Sequence, residues 1–316
     1  MTDMTYRRLG SSGLVVSVVG LGCNNFGRKI DAAGTRAVVD AAIDAGITLF
    51  DTADVYGDPP GASEECLGAA LKANGRRDEV VVATKFGGSM GGPDREARGS
   101  RGYIVKAVEA SLRRLGTDYI DLYQLHRPDP DTPIAETLST LDDLVRAGKV
   151  RYLGSSNFAG WQIADAGWTA RTAHSTPFVS AQNEYSLLDR NLEKDVIPAC
   201  QRFDVGMLPF FPLANGLLTG KYRRDSVPAG SRLSLDRFAP YLARAPWDVI
   251  EKVEAYARER SLSILDVAIS GLAAQPTVAS VIAGATTPEQ VRANAAAGAW
   301  SPTADDITTL NAITRQ

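Results

Sequence analysis

The chain has 316 residues, 44% apolar and 22% charged, a mix that supports one large hydrophobic core. Its net charge of −3 excludes bulk electrostatic recruitment to nucleic acid or to an anionic membrane. Cys23, Cys66 and Cys200 are scattered without CxxC spacing, which argues against a disulfide framework or zinc site and fits a reducing cytoplasm.

No apolar signal-like run opens the sequence, and none is long enough to span a bilayer. Residues 6–17 read as a hairpin turning at Ser12-Gly13. An alternation of short apolar runs and amphipathic stretches follows. Strands are predicted over 18–22, 47–51, 80–85, 120–126, 150–155, 179–183, 205–211 and 278–284. Helices are predicted between them over 33–45, 64–71, 103–115, 133–147, around Ile163, and over 192–202. Gly46 and Gly148 suit helix ends, and Pro133 suits a first turn. A segment rich in Gly, Pro and Arg, residues 213–246, interrupts the pattern after the seventh strand. Helical sequence over 247–275, a helix over 288–297 and an amphipathic stretch with Ile307, Leu310 and Ile313 complete the chain.

Parallel neighbours need crossovers, so eight strand–helix units imply a parallel sheet. Eight is also the number that closes a side-chain-filled barrel. The rival, an open doubly wound sheet, lacks the expected GxGxxG after its first strand. The expectation is an α/β fold: a (β/α)8 TIM barrel with an N-terminal β-hairpin and extra C-terminal helices, in a single domain spanning 1–316. Active-site residues then belong at the C-terminal ends of strands.

Four polar residues stand there. Asp51 ends strand two, Tyr56 follows in the next loop, Lys85 ends strand three and His126 ends strand four. Singly, each has an ordinary reading: a turn-forming Asp, a packing Tyr, a solvated Lys, a satisfied core His. Together their chemistry is coherent. A lysine ammonium favours phenolate and lowers a tyrosine pKa, and an aspartate holds the lysine charged. Tyr56 can then protonate a carbonyl oxygen while His126 hydrogen-bonds it.

The run from Phe50 to Gly57, FDTADVYG, with Glu64-Glu65-Cys66-Leu67-Gly68, Val82-Ala83-Thr84-Lys85, Leu122-Tyr123-Gln124-Leu125-His126 and Gly154-Ser155-Ser156-Asn157-Phe158, resembles the aldo-keto reductase superfamily along essentially the whole chain. The resemblance implies a catalytic tetrad of Asp51, Tyr56, Lys85 and His126. It implies NADP(H) as cofactor, with NAD(H) as the alternative, and no metal. Asp51, Ser156, Asn157 and Gln182 match residues around the nicotinamide, and Phe210 matches the aromatic stacked on its ring. Pro212, Leu213, Gly216 and Lys221 match a loop around the diphosphate. Gly284, Thr286, Gln290 and Asn294 match the adenosine segment. The chain departs from the family pattern at Phe211, where a small serine is common, and in residues 284–287, which carry no base. Lys221 and Arg232 are the substitutes for gripping a 2′-phosphate.

Phe26, Tyr56, His126 and Arg127 are expected to line the pocket of a small-molecule carbonyl substrate, and the 213–246 segment is a candidate lid. Two rivals share the barrel: a Schiff-base lyase with Lys85 as nucleophile, and a nucleotide-binding regulator resembling potassium-channel β subunits.

Overall fold

The computed structural model describes residues 4–90 and 97–315. Two short strands, β1 (Tyr6–Arg8) and β2 (Val15–Ser17), form the antiparallel hairpin. The chain then alternates β3 (Val19–Gly22), α1 (Ala32–Asp44), β4 (Leu49–Asp51), α2 (Ala62–Asn74), β5 (Val81–Phe86), α3 (Arg101–Leu115), β6 (Ile120–Leu125) and α4 (Ile134–Arg146). It continues with β7 (Val150–Ser156), α5 (Gly160–Ala173), β8 (Phe178–Gln182), α6 (Val196–Phe203) and β9 (Gly206–Met207). The insert carries α7 (Ala239–Ala243). After it come α8 (Trp247–Glu259), α9 (Ile264–Ala273), β10 (Val281–Gly284), α10 (Pro288–Ala297) and α11 (Ala304–Thr314). Among the described residues, no helix is long and apolar enough to cross a membrane.

β3 to β10 form one eight-stranded parallel sheet in the order β10-β3-β4-β5-β6-β7-β8-β9. Its two edges meet. Met207 N donates to the Thr277 carbonyl at 2.8 Å, and Ala279 N and Ile282 N donate to the Met207 and Pro209 carbonyls at 2.9 and 3.0 Å. The expected barrel is therefore present, closed by a short seam.

Strand alternation divides the side chains. Phe50 and Tyr123 face outward into the layer shared with the helices, where Val38, Leu67, Ile104 and Leu141 are also buried. Leu49, Ala83, Leu122 and Ile282 belong instead to a second cluster with Leu9 and Val16 of the hairpin, so the hairpin plugs the N-terminal end of the barrel. Two residues further along the same inward face come Asp51, Lys85 and Gln124. The barrel is thus apolar at its base and polar at its mouth. A third cluster packs α8, α9 and α11 over Leu217, Leu218 and Tyr222 of the insert.

Several boundaries differ from the sequence reading. The seventh strand is only Gly206–Met207, because Pro209 has no N–H to give to the ladder. Leu208 N and Phe210 N nevertheless donate to the carbonyls of Ala181 and Asn183, so the backbone stays extended to the mouth. The helical stretch over 247–275 is two helices, split where Ser263 caps α9 in a reciprocal capping box with Asp266. The helix over 192–202 is a 3-10 turn, Asn191–Lys194, followed by α6.

α2 is fixed by a close approach. At Gly68 a β-carbon would run into the backbone of Leu115, the last residue of α3. Nearby, fully buried Glu64 accepts from Arg114 and from the Thr84 hydroxyl, both at 2.6 Å, tying α2 to α3 and β5. Gly68→Ala is expected to cost roughly 1–3 kcal/mol by forcing the two helices apart. A thermal melt reads this as a fall of a few degrees, and an unchanged midpoint would mean that α2 and α3 separate freely.

Candidate active site

The barrel mouth is organised around one buried ion pair. Lys85 is fully buried and Asp51 nearly so. The Lys85 ammonium donates to both Asp51 oxygens at 2.7 Å and to the Thr52 carbonyl at 2.9 Å. Its Nζ also lies 5.0 Å from the Tyr56 ring centroid, close enough for the ammonium and the phenol to act on each other's charge state. Gln182 and Gln124 donate their side-chain amides to Asp51 Oδ1 at 2.8 and 3.3 Å. The carboxylate is therefore held from β5, β6 and β8 at once.

Tyr56 is positioned by its loop. Gly57 follows it with φ +101°, and a β-carbon there would lie 2.7 Å from Ala62 Cβ. Only glycine lets the loop close on the start of α2 in this conformation. Underneath, the Thr52 and Ser63 hydroxyls are 2.9 Å apart, and Ser63 Oγ donates to the Cys23 carbonyl. The Tyr56 and His126 rings meet edge to face, centroids 5.8 Å apart at 85°. Tyr56, Lys85 and His126 thus converge with Asp51.

Their charge states follow from burial and neighbours. Burial alone would lower Lys85, but Asp51 and the Tyr56 hydroxyl outweigh it, and the ammonium lies above its ordinary value. An amine held charged and fully committed is not the free nucleophile that Schiff-base chemistry needs. Burial raises the Tyr56 phenol, Lys85 pulls it back and Asp51 pushes it up, and the net position is above the ordinary 10. This reverses the expected net direction: Lys85 acts in the predicted sense, but desolvation is the larger effect. Burial, Lys85 and Arg127 together push His126 down to about 3, so its imidazole is neutral at physiological pH. The site therefore offers a protonated phenol, a fixed cation able to stabilise its anion, and a neutral imidazole beside it.

The other residues picked out from the sequence fall into two groups. Ser156, Asn157 and Gln182 lie next to the ion pair. Ser156 Oγ donates to the Gln182 carbonyl at 2.9 Å, and Asn157, in a left-handed conformation at φ 60°, donates from Nδ2 to the His126 carbonyl at 3.0 Å. Phe210 lies at the mouth, edge-on to Phe211 at 5.2 Å. Pro212 and Leu213 lead into a turn with positive φ at Phe211, Ala214, Asn215 and Gly216. Across the seam, Thr286 N and Oγ1 donate to the Gln290 side chain at 2.8 and 3.1 Å, and Asn294 is buried one turn further on. Gly284 is exposed at the end of β10, and Lys221 is exposed on the insert. Arg232 lies over the rings of Phe211 and Phe238 at 5.7 and 5.3 Å. Arg127 is exposed beside His126.

Phe26 departs from expectation. Its loop folds back so that Phe26 bridges Ile30, and the side chain is fully buried in the core with Val38 and Leu67. It presents no surface to a substrate. Gln124 escaped the sequence reading, although it shares the inward face of its strand with His126, two residues on. Asp54 was quoted only as part of a motif. It is 2% exposed, and neither carboxylate oxygen meets a well-aligned donor. Among the described residues, no cluster of three or more His, Cys, Asp or Glu is placed to hold a metal.

Burial, helped by the Glu64 carboxylate, pushes Asp54 up to about 7 against Arg114, the Val55 amide and Lys85. The folded protein then holds this proton more tightly than the unfolded chain does. Asp54 therefore destabilises the fold increasingly as pH rises from its ordinary 3.8 through about 7, with the full penalty present above that. The total is on the order of a few kcal/mol. In urea titrations at pH 5 and pH 8, Asp54→Asn should gain stability over the wild type at the higher pH. A difference that does not change with pH would show that the carboxylate finds compensation when ionised.

Comparison with known proteins agrees with this geometry. The Aldo/keto reductase family model matches residues 18–315. The chain is 36% identical over 299 residues to a probable voltage-gated potassium channel subunit beta of Oryza sativa subsp. japonica, covering 92% of this chain and 90% of that protein. It is 36% identical over 296 residues to the uncharacterized oxidoreductase YrpG of Bacillus subtilis (strain 168), covering 92% and 89%. It is 35% identical over 302 residues to the L-glyceraldehyde 3-phosphate reductase of Escherichia coli (strain K12), covering 92% and 87%. The chain belongs to the aldo/keto reductase family.

Proposed function

We propose that the chain reduces an aldehyde or ketone to the alcohol, reversibly, with NADP(H). The observation that carries this reading is the convergence of a protonated Tyr56 with Lys85 and a neutral His126 at one point of the mouth. When bound, the nicotinamide supplies a hydride to the carbonyl carbon. Tyr56 gives its hydroxyl proton to the carbonyl oxygen, and Lys85 stabilises the phenolate left behind. Solvent returns the proton to Tyr56 after the alcohol leaves. His126, uncharged, hydrogen-bonds the same oxygen and orients the substrate, and Arg127 edges the pocket. In oxidation Tyr56 is the base. A phenol held above its ordinary value suits the acid role across neutrality, and it makes oxidation faster as pH rises.

The residues present fit a dinucleotide. Gln182, Asn157 and Ser156 gather polar groups beside Asp51, where a carboxamide would be held. Phe210 offers a ring face at the mouth. The left-handed turn from Phe211 to Gly216 and Lys221 would hold the diphosphate. Residues 284–286, Gln290 and Asn294, at the start of α10, would hold the adenosine, with Arg232 toward a 2′-phosphate. The likeness to a potassium-channel β subunit supports a second reading, in which a bound nucleotide serves regulation.

Tyr56→Phe separates the two. Reduction of an activated aldehyde, followed by NADPH absorbance, should fall at least about a hundredfold, while NADPH binding stays within about twofold. Tight NADPH binding by the wild type without turnover of any carbonyl would favour the regulator instead.

A further inference from the structure

A cavity of about 620 Å³ opens at the base of the barrel, the end opposite Asp51 and Lys85. Three pieces of chain meet there: the hairpin, the α6–β9 turn and the α9–β10 connection. Hydrogen bonds and close contacts fix its walls. Ser11 N donates to the Asp204 carbonyl at 2.8 Å. A β-carbon on Gly206 would lie 2.7 Å from Gly10 N, so the hairpin turn rests directly on the start of β9. On the other wall, Arg7 Nη1 donates to the carbonyls of Ala273 and Val278, tying β1 to the end of α9 and the approach to β10. None of Asp51, Tyr56, Lys85 and His126 lines this cavity.

Arg7 carries an unbalanced charge. Its guanidinium is half-buried, and burial lowers its pKa below the ordinary value with no carboxylate to offset it. Asp204 is the one acid on the lining, and among the described residues it pairs with neither Arg7 nor the exposed Arg8. Nη1 takes both carbonyl bonds, which leaves Nε and Nη2 without an acceptor among the described residues. Those two nitrogens form an edge that a carboxylate grips with two parallel bonds. Cys200, Val205, Val278 and Ala279 add buried apolar lining. The volume suits a small molecule. The helix ends set a limit on its charge. α6 and α9 both finish at the cavity, and their carbonyl ends oppose a second negative charge there.

We propose that this cavity is a second binding site, for a monocarboxylic acid with a small apolar body, held by the Nε–Nη2 edge of Arg7. One negative charge balances the one half-buried guanidinium. A phosphate dianion would face two helix carbonyl ends with its excess charge, and an amine would face Arg7 itself. The apolar lining covers the body of the acid. Bound there, the acid touches the hairpin, α6 and α9 at once, beside the seam where Met207 N donates to the Thr277 carbonyl. It therefore stabilises the folded chain. The site does not depend on the reaction proposed for the mouth.

The test is calorimetric titration of the full chain with benzoate, benzyl alcohol, benzylamine and inorganic phosphate. The proteins are the wild type, Arg7→Gln, Ala274→Trp and Arg127→Ala, and thermal melts verify that each folds. Ala274→Trp fills the cavity and leaves Arg7 in place, so it serves even if the loss of Arg7 loosens the hairpin. Arg127→Ala removes the cation at the mouth, the competing place for a carboxylate. The wild type should bind one benzoate per chain with a Kd of about 1 mM or tighter, and its melting temperature should rise with benzoate. Arg7→Gln and Ala274→Trp should each weaken benzoate at least about tenfold, and the wild type should bind benzyl alcohol at least about tenfold more weakly than benzoate. Arg127→Ala should keep benzoate affinity within about twofold. No binding by the wild type up to roughly 20 mM benzoate would overturn the proposal, as would unchanged affinity in either cavity variant. Loss of all binding in Arg127→Ala would place the acid at the mouth and overturn it too. Phosphate or benzylamine bound as tightly as benzoate would overturn the ligand class.

Discussion

An ammonium sealed inside a barrel is tolerable only if every N–H it carries is satisfied, and Lys85 meets that condition. Its donors go to both Asp51 oxygens and the Thr52 carbonyl, and Asp51 in turn accepts from Gln124 and Gln182. The pair fixes the mouth ends of β4, β5, β6 and β8 relative to one another. Removing one member would strand the other charge, at a cost of about 3–5 kcal/mol. The electrostatics of the neighbours follow from it. A fixed cation beside Tyr56 opposes part of the desolvation of its phenolate, and the same cation helps keep His126 neutral.

The legible parts of this site were those where a polar residue interrupts an apolar pattern. Asp51, Lys85 and His126 end apolar strands, and period-two alternation puts them on the inward face above Leu49, Ala83 and Leu122. Gln124 obeys the same parity but sits within a run and was hidden by it. What alternation cannot supply is depth. The phenol of Tyr56 was expected below its ordinary value because the lysine was visible and the burial was not. Phe26 looked like a loop aromatic available to substrate, but the turn to Ile30 returns it to the core. Asp54 lies in a motif matched as a whole, and nothing in the order of residues announces a carboxylate shut away without a donor. The fold was legible for a related reason: eight repeats of strand and helix leave few closures, and the seventh strand, cut short by Pro209, lost most of its predicted length.

The mouth is built in two halves with different physics. Over β4 to β8 Asp51, Lys85, Gln124 and Gln182 are buried and hydrogen-bonded to one another, so each holds its neighbour and small displacements are costly. Over β9, β10 and β3 the groups are exposed cations, a left-handed turn and a helix start, carried on loops whose hydrogen bonds are mostly their own. On the proposed function the first half would set which bond changes, and the second would set what is gripped, with side chains that can be altered without disturbing the ion pair.

That division bears on whether the chain is an enzyme or a nucleotide-binding regulator. On the proposed function, holding a dinucleotide would need the β9–β3 half and the amides beside Asp51. It does not need a buried ammonium beside a phenol. Buried ion pairs are weak sources of stability, and well-packed apolar residues of similar volume often serve the fold as well or better. Asp54, an unpaired buried carboxyl in the loop that carries Tyr56, adds a further cost near neutral pH. A barrel that only bound nucleotide would gain stability by losing these groups. The proton transfer proposed for Tyr56 would account for their combination with an edge-to-face Tyr56 and His126, because a poised acid repays a strained electrostatic setting.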